Sequence, residues 1–183
     1  IMARSALDDL VAEGLALAGS CVDLVHSKIG MVVKAGAPRP DISTREGFEQ
    51  ALMEARSIGY SASASGKYLA KDGFAKLGQP RCSQVMAKAR EIVKDRVGTW
   101  VAKGDPEIGF QQVSELLPIP GTDYVGTIPA PYQQVTIFSV GIAASARHVE
   151  EARKLIAYLR SPAAFATIRK WGMEPAAEVE ARG

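Results

Sequence analysis

The chain has 183 residues, 47% of them hydrophobic and 23% charged, with a formal net charge of +2. That balance is ordinary for a globular protein, and the length suits one domain or two small ones. The small charge and scattered basic residues argue against nucleic acid or an anionic membrane surface as partner, and no apolar run approaches the roughly 18 residues of a membrane span.

Residues 1–2 read as the end of a buried strand, and Ser5 as the cap of a helix over 5–17 with Leu7, Leu10, Val11 and Leu15 on one side. No signal-peptide pattern opens the chain. The first part of the fold is expected to lie outside it. Cys21 and Cys82 belong to no Cys-x-x-Cys pair, so redox and zinc motifs are missing and two unpaired thiols are expected. Residues 22–26 and 29–34 suit two strands, and 35–41 a Pro/Gly turn. Ser43-Thr-Arg-Glu46 fits a capping box opening a helix that carries Phe48, Leu52 and Ala55 inward. A short strand over 57–61, a small-residue loop and a helix over 67–77 follow, the rhythm of an α/β sheet. Helix is predicted over 85–93 and 97–102, strand over 108–113, 124–128 and 135–144.

The tail reads as two helices with a tight corner. Val149, Ala152, Leu155, Ile156 and Leu159 make one apolar face. Ser161 can cap the second helix, with Pro162 at its first position, and Gly172 stops it after Phe165, Ile168 and Trp171.

One loop stands out chemically. Tyr60-Ser-Ala-Ser-Ala-Ser-Gly66 runs from strand into helix, where unpaired N–H groups and the helix dipole favour an oxyanion or carboxylate. Ser61, Ser63 and Ser65 add hydroxyls and Lys67 a charge; the alternative is a plain serine cap on a tight turn. Gln111 and Gln112 end a strand, and their amides offer both donors and an acceptor. His26-Ser27 precedes the next strand, where a His can bind an anion or respond to pH. Tyr132, Gln133 and Gln134 are further polar candidates, whereas His148 reads as solvated. Catalytic motifs fail: Gly59-Tyr-Ser-Ala-Ser lacks the second Gly of a nucleophile elbow, and Gly66-Lys67 is followed by Tyr68. Two His and no clustered Cys leave no metal set, and no cofactor motif is present.

The ordered pieces carry a resemblance. They are Lys34-Ala-Gly-Ala-Pro, the 41–46 helix start, Ser63-Ala-Ser-Gly-Lys-Tyr, Lys103-Gly-Asp-Pro-Glu-Ile-Gly-Phe, Val125-Gly-Thr-Ile-Pro and the Leu-x-Ser-Pro tail. Together they resemble the molybdate-type branch of the type II periplasmic solute-binding proteins. The resemblance implies an α/β fold of two lobes joined by two crossing strands, with ligand in the interlobe cleft and the first lobe incomplete. Residues 1–34 would end the N-terminal half of lobe I, 35–134 form lobe II, and 135–183 return to lobe I. The strands over 29–34 and 135–140 would be the crossings. It implies ligand contact by Ser63, Ser65 and Gly66, and by Gln112 where molybdate binders commonly have a tyrosine. Gln111, His26 and Ser27 complete the candidate set. The implied function is capture of a small anion or organic acid for the membrane subunits of an ABC importer, in the periplasm or another extracytoplasmic place. The alternatives are an isomerase of a small polycarboxylic acid using Ser65, His26 or Lys67, and a ligand-sensing domain. Self-association through an exposed sheet edge is a further expectation.

Overall fold

A computed structural model describes residues 1–181. In chain order the elements are β1 (Met2–Ala3), α1 (Arg4–Ala12), β2 (Val22–Ser27), β3 (Ile29–Lys34), α2 (Arg45–Glu54), β4 (Ile58–Ser61), α3 (Ala64–Tyr68), α4 (Arg81–Met86), β5 (Ala89–Ile92), α5 (Val97–Ala102), β6 (Ile108–Gln112), α6 (Val113–Leu116), β7 (Thr122–Thr127), β8 (Thr136–Val140), α7 (Val149–Leu159), α8 (Pro162–Lys170), β9 (Met173–Pro175) and α9 (Ala176–Glu180). The helical path of α3 continues as a π turn, Leu69–Gly73, and a 3-10 turn, Phe74–Leu77.

The chain divides into two compact units, the first made of Ile1–Ser27 and the segment from Val135 onward, the second of Lys28–Gln134. In the first unit an antiparallel sheet runs β1-β8-β2-β9, so its edges are strands of two and three residues. Leu24, Val25 and Val140 are buried together there, with Ile156, Leu159, Ile168 and Met173 packed against them. Gly172, at φ +72°, ends α8 in the left-handed region where a side chain is strained.

The second unit holds a mixed five-stranded sheet, β5-β4-β6-β3-β7. Strands β5 and β6 flank β4 in parallel, while β3 is antiparallel to both β6 and β7. Its core joins Ile29, Met31 and Val33 of β3 to Phe48 and Leu52 of α2 and to Phe74 and Phe110. Phe48 meets Phe110 edge-on at 5.9 Å and Tyr132 at 4.9 Å between ring centroids, separations typical of attractive aromatic pairs.

Several local expectations shift. The first helix ends at Ala12 rather than at residue 17, with Arg4 and Ser5 already helical. Thr44, not Ser43, caps α2: its backbone is extended and its Oγ1 accepts from Gly47 N–H at 3.1 Å. Ser43 lies one residue too early, its N–H held by Asp41 Oδ1 at 2.9 Å. The segment expected to be helical over 85–93 breaks into the end of α4 and strand β5. Arg90 and Glu91 hide the strand period, and parallel pairing with β4 across about thirty residues of chain overrides local preference. Ser161 occupies the cap position of α8, yet its hydroxyl donates back to Tyr158 O at 2.7 Å instead of capping. Along α7, Leu155 is exposed, so the apolar face reaches the core only through Ile156 and Leu159. Both cysteines are free, Cys21 in the first unit and Cys82 in the second.

Candidate functional site

Parallel strands bring the carboxyl ends of β4 and β6 side by side, with Tyr60 opposite Phe110. Ends of this kind in α/β sheets are where ligands bind. The chain leaves β4 at Ser61 and turns at once into α3, so Ser61, Ser63 and Ser65 stand at one turn. Their hydroxyls form a chain: Ser61 Oγ to Ser63 Oγ is 2.7 Å and Ser63 Oγ to Ser65 Oγ is 3.1 Å. Ser61 and Ser65 are buried, while Ser63 is exposed. The first intrahelical bond is donated by Lys67 N–H to Ser63 O at 3.0 Å, leaving the preceding helical N–H groups without a partner from the helix itself. Ala62 N–H is instead taken by Ile92 O of β5 at 3.2 Å.

Gly66 explains the tightness of the turn. A Cβ there would stand 1.8 Å from Ser61 O and 2.8 Å from Ser61 N. Only glycine lets the first turn of α3 close onto the end of β4. Lys67 is exposed beside it.

Alternation along β6 sends Gln111 and Gln112 to opposite faces of the sheet. Both are buried. Gln111 Oε1 accepts from Val97 N–H at 2.8 Å, so its carbonyl serves as the missing cap of α5. Gln112 pairs in register with Ile29 and leads directly into α6. His26 and Ser27 lie in β2 of the first unit, His26 half-buried and opposite Ile137 and Glu174, Ser27 buried and opposite Thr136 and Met173. Thus Ser63, Ser65, Gly66, Gln111 and Gln112 share one sheet end of the second unit, and His26 and Ser27 belong to the other unit.

Two of the polar candidates before β8 have structural partners. Tyr132 is fully buried in the core, and its hydroxyl donates to Glu49 Oε1 at 2.6 Å. Glu49 also receives Arg45 at 2.7 Å and Arg81 at 2.8 Å. Burial first, and then the Glu49 carboxylate, push the Tyr132 hydroxyl up to about 12. The Arg45 hydrogen bond, seconded by Tyr132, holds Glu49 below the usual carboxylate range. Gln133 is bonded to backbone at Ile29 and Ile128. Neither role was visible in the sequence, since Glu49 lies 83 residues from Tyr132 and Ile29 lies 104 from Gln133.

A cavity of about 270 Å³, lined by Val33, Pro38, Arg39, Ala51, Glu107 and Ile108, opens at the other end of the β3–β6 ladder. It is far from the serine turn in register, and its mixed lining carries no convergent set of donors. Among the described residues no group of three or more His, Cys, Asp or Glu could hold a metal ion, and no helix is long and apolar enough to cross a membrane.

A family model described as bacterial extracellular solute-binding protein matches residues 1–174. The aconitate isomerase of a Pseudomonas species is 45% identical over 175 residues, covering 96% of this chain and 66% of that protein. The chain therefore spans just under two thirds of that relative's length. The periplasmic molybdate-binding protein of Azotobacter vinelandii has a TM-score of 0.69 at 21% identity, over 94% of this chain and 75% of its own. L-phospholactate-bound PEB3, a Campylobacter jejuni protein, has a TM-score of 0.70 at 14% identity, over 94% and 76%. The fold is that of the type II periplasmic binding proteins of the molybdate type. With nearly its whole length matched by the family model, the chain belongs to the bacterial extracellular solute-binding proteins.

Proposed function

We propose that this chain binds a small polycarboxylate anion at the carboxyl ends of β4 and β6 and interconverts its double-bond isomers. The observation that carries the reading is 45% identity to an aconitate isomerase over 96% of the chain. The molybdate-binding and PEB3 structures share only the fold, at 21% and 14% identity. The serine turn suits a carboxylate because the Ser63 hydroxyl and the N–H groups at the start of α3 are donors at the positive end of a helical path. Gln112 extends that set with an amide, which suits a second carboxylate. Gln111, with its carbonyl on Val97, contributes by holding α5 beside the strand end.

Isomerisation of aconitate is an allylic proton shift. A base takes a proton from the methylene carbon, the double bond moves one position toward it, and a proton is delivered to the far carbon of the original double bond, which becomes the new methylene. The formula is unchanged and no oxidant or reductant is consumed. Lys67, exposed beside the serine turn, is the candidate able to carry that proton, and Ser65, hydrogen-bonded to Ser63, can relay it.

Family membership supports a second reading, capture without turnover. There the partners are the membrane subunits of an ABC importer and the place of action is extracytoplasmic.

The test is proton NMR of trans-aconitate in D₂O with the protein at its full natural length, beside calorimetry with trans-aconitate and with molybdate. Appearance of cis-aconitate with deuterium at the methylene carbon supports the isomerase. Tight binding without exchange moves the assignment to capture, and heat with molybdate alone overturns the polycarboxylate reading. Ser63→Ala and Ser65→Ala should each weaken trans-aconitate binding by about tenfold or more, the size of a hydrogen bond to a charged group.

A further inference from the structure

The second unit begins at Lys28 and ends at Gln134. Its two ends are tied by one side chain. Gln133 Oε1 accepts from Ile29 N–H at 2.8 Å, while Gln133 Nε2 donates to Ile29 O at 3.0 Å and to Ile128 O at 2.9 Å. The β3–β7 ladder runs up to Gly30 opposite Thr127, and Ile128 N–H donates to Ile29 O at 3.1 Å. The reciprocal place in the ladder, between Ile29 N–H and Ile128 O, is taken by the Gln133 amide, which accepts from the first and donates to the second. An amide does both in one planar group, and only one of its two orientations meets one donor and two acceptors. Glutamate lacks the donor, and asparagine is one methylene short.

We propose that Gln133 is a staple that binds the entering and leaving segments of the second unit to each other, so that Ile29 and Ile128 keep their register at the end of the β3–β7 ladder. Ile29 is also the register partner of Gln112, so the staple positions Gln112 at the end of β6. This last consequence rests on the polycarboxylate-binding reading.

The test is amide exchange by NMR on the full-length protein, without ligand, for wild type and Gln133→Ala. Protection should fall at Ile29 together with Gly30, Gln112 and Ile128, by about tenfold or more as expected for loss of buried hydrogen bonds, with Phe48 unchanged. Loss confined to Ile29 alone overturns the staple. Gln133→Glu supplies a second reading of the same point. Its carboxylate keeps an acceptor for Ile29 N–H but faces two carbonyl oxygens, so protection is low at pH 7. It should recover below the carboxyl pKa of about 4.3, where a proton restores one donor. Equal protection factors at both pH values overturn the proposal. Calorimetry with trans-aconitate then separates the two readings: a wild type that does not bind overturns the ligand reading and leaves the exchange result to decide the staple, whereas a wild type that binds and a Gln133→Ala variant of equal affinity overturn the positioning of Gln112.

Discussion

In the second unit, β3 is buried along five of its six residues, and three aromatic rings, Phe48, Phe74 and Phe110, close over one face of the sheet. In the first unit, among the described residues, the buried apolar cluster is Leu24, Val25 and Val140, with Leu7 and Ile142 buried outside it, and no residue of the eleven-residue α7 is buried. Both units fold from the same kinds of element, yet the depth of packing differs. Precision at a binding turn needs a rigid support, and the serine turn, the proposed ligand site, sits on the deeper of the two cores. The shallow unit holds its helices by their edges, and exposed Leu155, Tyr158 and Trp171 cost little where they are.

The contrast can be broken most strongly at Phe48. Phe48→Ala should destabilise the second unit by about 3–5 kcal/mol in urea unfolding, by lost burial and a remaining cavity. Next comes Gly66→Ala, where a Cβ at 1.8 Å from Ser61 O must push α3 away from β4. A cost of about 3 kcal/mol is expected, with loss of the serine turn visible in the Ser61 and Ser65 amide shifts. Gln111→Ala should cost about 2 kcal/mol by orphaning the buried Val97 N–H, and its mark would be faster exchange at Val97 with α2 unaffected. Tyr132→Phe is smaller, about 1 kcal/mol at neutral pH, and its signature is alkaline. The raised hydroxyl pKa means its contribution is complete below the unfolded value of about 10 and is lost as pH rises through about 12. Stability curves of wild type and Tyr132→Phe should therefore converge across that window. Smallest of all, Leu155→Ser on α7 should change stability by about 0.5 kcal/mol or less. A large loss there would show that the first unit is packed more deeply than its burial indicates.

Legibility differed in the same way. The strand–serine turn–helix unit at 57–77 could be read because each piece is local: an apolar run, small residues, then a helical period ended by Gly78. The tail helices were readable for the same reason. Strand β5 was not, because its exposed Arg90 and Glu91 break the apolar pattern in an edge strand whose ladder partner is the distant β4. Tyr132 looked like a polar candidate because nothing in its own neighbourhood announces Phe48 or Glu49. Gln111 and Gln112 read as a pair, yet the pleat separates them, one onto Val97 and the other beside Ile29.

By itself the sequence determined the solute-binding family, the α/β class and the serine turn, since spacing, caps and small residues act over a few positions. Tertiary structure alone decided that Gly66 must be glycine because Ser61 lies against it, that Gln111 caps α5, and that Gln133 stands in for a strand. Those roles depend on backbone groups that the fold brings together, five residues apart at Ser61 and Gly66 and 14 and 104 residues apart at Gln111 and Gln133, and a buried N–H or C=O pairs with whichever partner the fold carries to it.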